Sequence, residues 1–370
     1  MKKIMIVSIM AVLAIAGNAL ALDMNQIKIH GFISQGYLQT DKNDFYFAKT
    51  EKGTFQFNEM GINFATEVSD NLRVGVQFLS RDLGDIGNNE VMVDWAFADY
   101  RYRNWLGIRA GKIKRPYGLY NRIRDVDAAR TGIFLPIMVY DDVDRETYTA
   151  TTGIGIYGTL SGGLSYEVQY GTVQMDADGG NAMNLEFALK IKISEIETKD
   201  SFTAFLQWET PLDGLTLAGT VFKYPDPTIQ TSLGKLDLEG INYVASAEYI
   251  RDKFTFAAEY RYLPLKLVLN DAFTLTDNTI ETWYGSVSYR FTDLFTLGAY
   301  YGELFADKNN KDLKSGGRKD WALTARFDIN DYWVFKLEGH LMRGLAQVQT
   351  PPEDASMNWF LFAAKVTFSF

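Results

Sequence analysis

From Ile27 onward the chain repeats one unit: about ten residues in which apolar positions alternate with polar or small ones, then a connection. A period of two is the signature of a β-strand whose two faces meet different surroundings. In Gln56 to Val68 the apolar set is Met60, Ile62, Phe64 and Val68, and Glu59, Asn63 and Glu67 fall opposite. Leu72 to Ser80 splits in the same way, Val74, Val76 and Phe78 against Arg73, Gly75 and Gln77. Trp321 to Ile329 repeats it, Trp321, Leu323, Ala325 and Phe327 against Ala322, Thr324, Arg326 and Asp328. A soluble sandwich alternates similarly, so the faces alone do not choose the architecture.

The connections do choose it. Seven are short and filled with turn residues: Ser69-Asp70-Asn71, Arg103-Asn104-Trp105, Ser161-Gly162-Gly163, Pro211-Leu212-Asp213-Gly214, Arg251-Asp252-Lys253, Thr292-Asp293-Leu294 and Asn330-Asp331-Tyr332. Between them lie eight long ones, at 41–53, 83–89, 115–150, 173–200, 225–237, 264–279, 306–318 and 346–357. Tight turns on one rim and long loops on the other are the layout of an outer-membrane barrel. The count predicts an all-β fold, a 16-stranded antiparallel transmembrane β-barrel with both termini on the short-turn rim. Met183 to Ile193 also alternates, through Met183, Leu185, Phe187, Leu189, Ile191 and Ile193. It is expected as an external β-extension or short helix within a long loop, because the Pro211 to Gly214 turn fixes the direction of both neighbouring strands.

The final stretch, Asn358 to Phe370, carries Phe360, Phe362, Ala364, Val366, Phe368 and Phe370 on one face and Lys365, Thr367 and Ser369 on the other. As an open edge in water it would aggregate. In a barrel it pairs with the first strand and faces lipid. A terminal Phe after alternating aromatics resembles the signal that outer-membrane assembly machinery reads. Tyr100, Tyr102, Trp283, Tyr289, Trp333 and Trp359 are expected in the interfacial girdles.

Composition narrows the classes. The 370 residues contain no cysteine, which excludes disulfides, a thiolate metal site and a cysteine nucleophile. After residue 21 no stretch reaches the roughly 18 uncharged apolar residues of a spanning helix. Residues 1–21 read as a secretory signal: Lys2 and Lys3, an apolar run from Ile4 to Ala16, and the small-residue site Ala19-Leu20-Ala21. The predicted division is therefore a signal at 1–21 and one barrel domain at 22–370, exported to the outer membrane of a Gram-negative cell. The formal charge of −9 becomes more negative once Lys2 and Lys3 leave with the signal, which disfavours nucleic acid as a partner.

A barrel of sixteen strands encloses an aqueous lumen, and its function is set by what narrows that lumen. Residues 115–150 form the longest uninterrupted connection, predicted to fold inward with Gly132 to Met138 against the inner wall. From Arg109 to Arg130 there are seven basic residues, Arg109, Lys112, Lys114, Arg115, Arg122, Arg124 and Arg130, against Asp125 and Asp127. These seven are the candidate constriction and anion-binding residues, because a guanidinium offers a fixed fork of donors to oxyanions and charge rings select ions by sign. Arg73, Arg81, Arg101 and Arg103 on nearby strands are candidates to join them. Asp141, Asp142, Asp144 and Glu146 follow as opposing acids, with Arg145 among them. The other reading of the same residues is a salt-bridged network anchoring the loop to the wall. Both readings stand on the sequence.

Asp94-Trp95-Ala96-Phe97-Ala98-Asp99-Tyr100-Arg101, Ile108-Arg109-Ala110-Gly111-Lys112-Ile113-Lys114, Pro116-Tyr117-Gly118-Leu119-Tyr120 and Trp208-Glu209-Thr210-Pro211-Leu212-Asp213-Gly214-Leu215 resemble the phosphate-selective porin O/P superfamily. The resemblance implies a homotrimeric 16-stranded porin that in many members prefers anions. That family's arginine ladder has no residue-by-residue match here, which leaves phosphate or any other small anion as the expected solute.

Three rival readings remain. A general, carboxylate- or sugar-conducting porin would leave the basic cluster structural. A hydrolase would need a histidine beside a serine, and the only histidines are His30 and His340, with no Gly-x-Ser-x-Gly motif. A receptor or adhesin would work through its loops, of which Asp176-Ala177-Asp178-Gly179-Gly180 lacks calcium-loop spacing. The expected partners are small hydrophilic solutes or anions and outer-membrane lipid. No enzyme activity, metal or cofactor is expected.

Overall fold

The computed structural model describes residues 26–314, 316–350 and 353–370. The predicted signal at 1–21 lies outside them. The barrel strands are β1 (Lys28–Thr40), β2 (Phe57–Ser69), β3 (Leu72–Leu83), β4 (Val91–Arg103), β5 (Leu106–Lys114) and β6 (Ala150–Thr159). They continue with β7 (Leu164–Thr172), β8 (Asp200–Glu209), β9 (Leu215–Lys223), β10 (Gly234–Arg251) and β11 (Phe254–Leu269). The last five are β12 (Phe273–Arg290), β13 (Phe295–Phe305), β14 (Gly317–Asp328), β15 (Trp333–Gly344) and β16 (Asn358–Ser369). Each pairs antiparallel with its sequence neighbour, and β16 closes on β1 from Phe32↔Ser369 to Thr40↔Leu361. All seven short turns join the strands that they were expected to join.

The alternation sets the faces. Met60, Ile62, Phe78, Trp321 and Leu323 are exposed on the outer surface, while Gln77, Thr324, Lys365 and Thr367 on the opposite face are buried. Inward residues that are buried rather than wet need something covering them, and that cover is the loop at 115–149.

Three expectations are corrected. The long connection expected at 264–279 is strand: β11 and β12 pair from Phe254↔Tyr289 to Leu269↔Phe273, and a turn at Asn270 and Asp271, both at positive φ, joins them. Pro264 and Thr279, the two ends of the expected connection, pair opposite each other within the ladder. With 18 residues, β10 and β12 climb about 45 Å at a tilt of roughly 40°, far above an apolar band of about 25 Å. The connection expected at 225–237 is likewise shortened, because β10 begins at Gly234. Trp359, expected in a girdle, points inward and donates its indole N–H to Gly344 O at 3.2 Å.

Residues 181–194 add no barrel strand. Gly180–Leu189 is a helix, α2, ended by Lys190 at φ +55°. After it Ile193–Glu197 pairs with Thr228–Thr231, a β-extension beside β10. Among the described residues a second α-helix, α1, is the single turn Arg145–Thr149 that leads into β6.

Candidate functional site: the lumen loop and the basic wall

The inward loop begins where β5 ends. Gly118, at φ +54°, lets the chain pass beneath Tyr140 and Glu259, where a Cβ would meet the Tyr140 hydroxyl and the Glu259 carboxylate. Asn121 closes the loop's neck by donating to Arg115 O at 3.0 Å and Tyr148 O at 2.8 Å.

Two wall carboxylates hold the loop from opposite sides. On β11, Glu259 accepts the Leu119 amide at 2.9 Å and the hydroxyls of Tyr140 and Tyr284. On β15, Glu338 accepts the amides of Ile133 at 2.7 Å and Phe134 at 3.2 Å, and the Thr324 hydroxyl at 2.6 Å. Beside it the Lys336 ammonium donates to the carbonyls of Asp127, Arg130 and Gly132 at 2.7, 2.8 and 3.0 Å. Apolar contact fills the space between these anchors. Ile133, Phe134 and Ile137 pack with Phe57, Met342, Trp359 and Leu361 on one side. Tyr117, Leu135, Val139 and Tyr140 pack with Phe222, Val244, Leu263 and Tyr284 on the other. The apolar side of the loop therefore leans on β9 to β12 and on β14 to β2, while its polar side meets β3 to β8 through Asp125 on Gln77, Asp142 O on Arg81, Arg145 on Asp94 and Arg122 on Glu167.

Burial sorts the seven basic candidates. Arg115 is fully buried, stacked 3.7 Å from the centre of the Phe222 ring, with its donors on Thr147 O and, at 2.9 Å, the Thr151 hydroxyl. Arg124 is buried on Asp141 O at 2.6 Å and the Asp142 carboxylate at 3.0 Å. Arg130 is buried against Asp127 at 3.2 Å and Glu59 at 3.8 Å. All three are buried and paired and serve as anchors of the loop, Arg130 also bordering a cavity between the loop and the wall with Thr131 and Glu338.

The other four reach water. Arg109 pairs with Asp99 at 3.1 Å and Glu167 at 3.5 Å, and Arg122 pairs with Glu167 at 2.7 Å. Their side chains stay 25% and 45% exposed, whereas that of Glu167 is 5% exposed, so the cations stand in front of the acid. Lys114 pairs with Asp125, and Lys112 donates to Val93 O at 2.6 Å. Of the strand arginines, Arg73 lies 6.0 Å from the centre of the Phe97 ring, and Arg101 lines a cavity of about 520 Å³ with Tyr157. Arg103 is exposed over Tyr102, and Arg81 is buried, donating to Asp142 O at 2.9 Å.

The four acids take partners within the loops instead of standing across the lumen. Asp141 accepts the Val143 amide at 2.8 Å and the Gln347 side chain. Asp142 holds Arg124. Asp144 accepts the Asn184 amide group at 3.1 Å, and Glu146 accepts from Asn181 at 3.0 and 3.3 Å. Burial pushes Glu146 up to about 7, against the pull of the Asn181 hydrogen bonds. For Asp142, burial raises and Arg124 and Arg130 lower, and the cations prevail at about 2.

The wall acids Glu59, Asp99, Glu167, Glu259 and Glu338 were not singled out as site residues. Strand parity was the available signal, since each sits on the inward face of its strand. His340 is buried, with Nδ1 on Asp320 at 3.0 Å and Nε2 on Glu338 at 2.9 Å, so both ring nitrogens are already engaged.

Comparison with known proteins agrees with this geometry. The model of the Gram-negative porin family matches residues 8–340, and the chain belongs to that family. It is an outer-membrane porin-type channel protein. No curated protein matches it. Among solved structures it is similar to the outer-membrane channel DcaP of Acinetobacter baumannii, at 12% identity and a TM-score of 0.61, covering 93% of this chain and 97% of that one. An anion-selective porin from Comamonas acidovorans is similar at 10% identity and 0.62, covering 93% and 99%. The trimer form of OmpT, an outer-membrane protein of Vibrio cholerae, gives 11% and 0.57 over 93% and 99%. At such identities the likeness is one of fold.

Proposed function

We propose that the protein is a diffusion channel for small hydrophilic solutes that prefers anions, with Arg109 and Arg122 as the residues that passing ions meet. The observation carrying this reading is that both guanidiniums stay partly open to water, Arg109 on β5 of the wall and Arg122 on the loop, around the buried Glu167 carboxylate. Arg73 and Arg101 extend the strip toward the short-turn rim. At physiological salt, charges farther than about 8 Å are screened. The strip therefore outweighs the protein's overall acidity for an ion beside it. Lys112 and Lys114 add to the same sector, whereas Arg115, Arg124 and Arg130 support it from within the loop.

Phosphate is one solute of this class, favoured by the resemblance to the phosphate-selective O/P superfamily. A homotrimer, implied by the same resemblance, would place the channels side by side in the membrane. Reversal potentials in a KCl gradient across a planar bilayer test the ion preference, and phosphate added to the chloride solution tests the solute by competition. A cation-preferring wild type overturns the anion reading. A chloride current indifferent to phosphate removes phosphate as a bound solute.

A further inference from the structure

We infer that Glu167 is a tethered counter-anion that weakens anion binding on the lumen wall so that ions leave as readily as they arrive. The inference rests on the reading of Arg109 and Arg122 as the anion-facing pair. Glu167 stands on β7, and its carboxylate lies between the two guanidiniums. Oε2 accepts from Arg122 Nη2 at 2.7 Å, Oε1 is 3.5 Å from Arg109 Nη1, and the Gln169 side chain donates to Oε1 at 2.7 Å. Chemically this is an acetate clasped by two arginines, the same oxyanion that a passing carboxylate or phosphate would present.

The surroundings fix this unit in place. Arg109 lies 4.1 Å from the centre of the Tyr157 ring and Arg122 4.9 Å from that of Phe205, so aromatic faces set both guanidinium planes. Asp99 repeats the device on the far side of Arg109, accepting from Nε at 3.1 Å while the Tyr157 hydroxyl donates to it at 2.6 Å. Each guanidinium has five N–H donors. The buried acids engage only some of them, and the side chains keep an exposed edge toward water.

The consequence is one of balance. Two neighbouring guanidiniums without a counter-charge would hold an oxyanion tightly, and tight binding slows conduction, which needs a site that attracts without trapping. Glu167 supplies a permanent partial occupant. Being behind the arginines, it lowers the field without blocking the path.

Glu167→Gln keeps the shape and removes the charge. In planar bilayers it is expected to raise the anion-to-cation permeability ratio by roughly two- to five-fold, from the attraction of one unit charge at contact distance in water. Current carried by phosphate should also saturate at lower concentration than in the wild type. Glu167→Asp, which keeps the charge, should restore the wild-type ratio. Asp99→Asn should move the ratio in the same direction as Glu167→Gln, so the inference is testable if either variant fails to assemble. An unchanged or cation-shifted reversal potential in whichever variant folds overturns it, because a purely packing role would alter channel number or noise and leave the ratio alone. A wild type without anion preference whose Glu167→Gln variant still shifts toward anions would sink the functional reading above and sustain this one.

Discussion

The Glu338 carboxylate on the barrel wall accepts the backbone amide of Ile133 at 2.7 Å, more than two hundred residues away in sequence. With Phe134 N on the same carboxylate, this pins the tip of the inward loop to β15. Glutamine retains one acceptor but brings an NH2 group toward donors that need an oxygen. Glu338→Gln should therefore cost about 1–3 kcal/mol of loop docking, the usual penalty for a buried group left unpaired. Single-channel recordings should show more open-channel noise with an unchanged reversal potential. Quiet channels identical to the wild type would mean that the apolar contacts hold the loop by themselves.

Those apolar contacts can be tested separately. Phe134 is buried, with its ring centroid 5.3 Å from that of Phe57 and 5.3 Å from that of Tyr46. Phe134→Ala should destabilise the docked loop by about 3–5 kcal/mol, counting lost transfer energy and the cavity left behind. Limited proteolysis should then cut within residues 115–149 while the barrel stays intact. An uncut loop in the variant would show that polar anchoring suffices.

Barrel, closure and inward loop were legible because each depends on local pattern: period-two faces, turn chemistry, and one apolar run, Gly132 to Met138, in an otherwise polar connection. The roles of the arginines were not legible, because sequence spacing does not report which wall a loop leans on. Arg122 and Arg124 are two residues apart, yet one reaches the wall acid Glu167 beside open water and the other is sealed against Asp142. The connection expected at 264–279 failed for a related reason: the ladder continues through it, with Leu263 and Leu267 packed inward in the tall crown of β10 to β12.

The contact between α1 and α2 should respond to pH. Glu146 accepts from Asn181 in a half-buried setting, and burial pushes it up to about 7, above the ordinary value near 4.5. A raised carboxyl is protonated more readily docked than free, so its contribution favours docking below about 4.5 and is lost as pH rises through about 7. Amide exchange at Asn181 should therefore accelerate between pH 5 and pH 8, beyond the intrinsic rate increase. In Glu146→Gln, which mimics the protonated form, that extra acceleration should vanish. The same acceleration in the variant would trace the effect to another group.

Arg122 and Arg124 should separate selectivity from stability. Arg122 is 45% exposed, so Arg122→Ala removes a charge that an ion can approach and leaves Glu167 less compensated. Both changes act against anions, and the permeability ratio should fall by roughly two- to five-fold with little effect on thermal unfolding. Arg124 is buried on two carbonyls and a carboxylate, so Arg124→Ala removes the direct partner of Asp142 and strips both carbonyls of their donor inside the loop, at about 3–5 kcal/mol. It should lower the unfolding temperature and roughen the current while leaving the ratio in well-formed channels close to the wild type. Ratios measured for both variants beside their melting curves decide the matter. If Arg124→Ala shifts the ratio as far as Arg122→Ala does, ions sense the whole cluster and not only its water-facing edge.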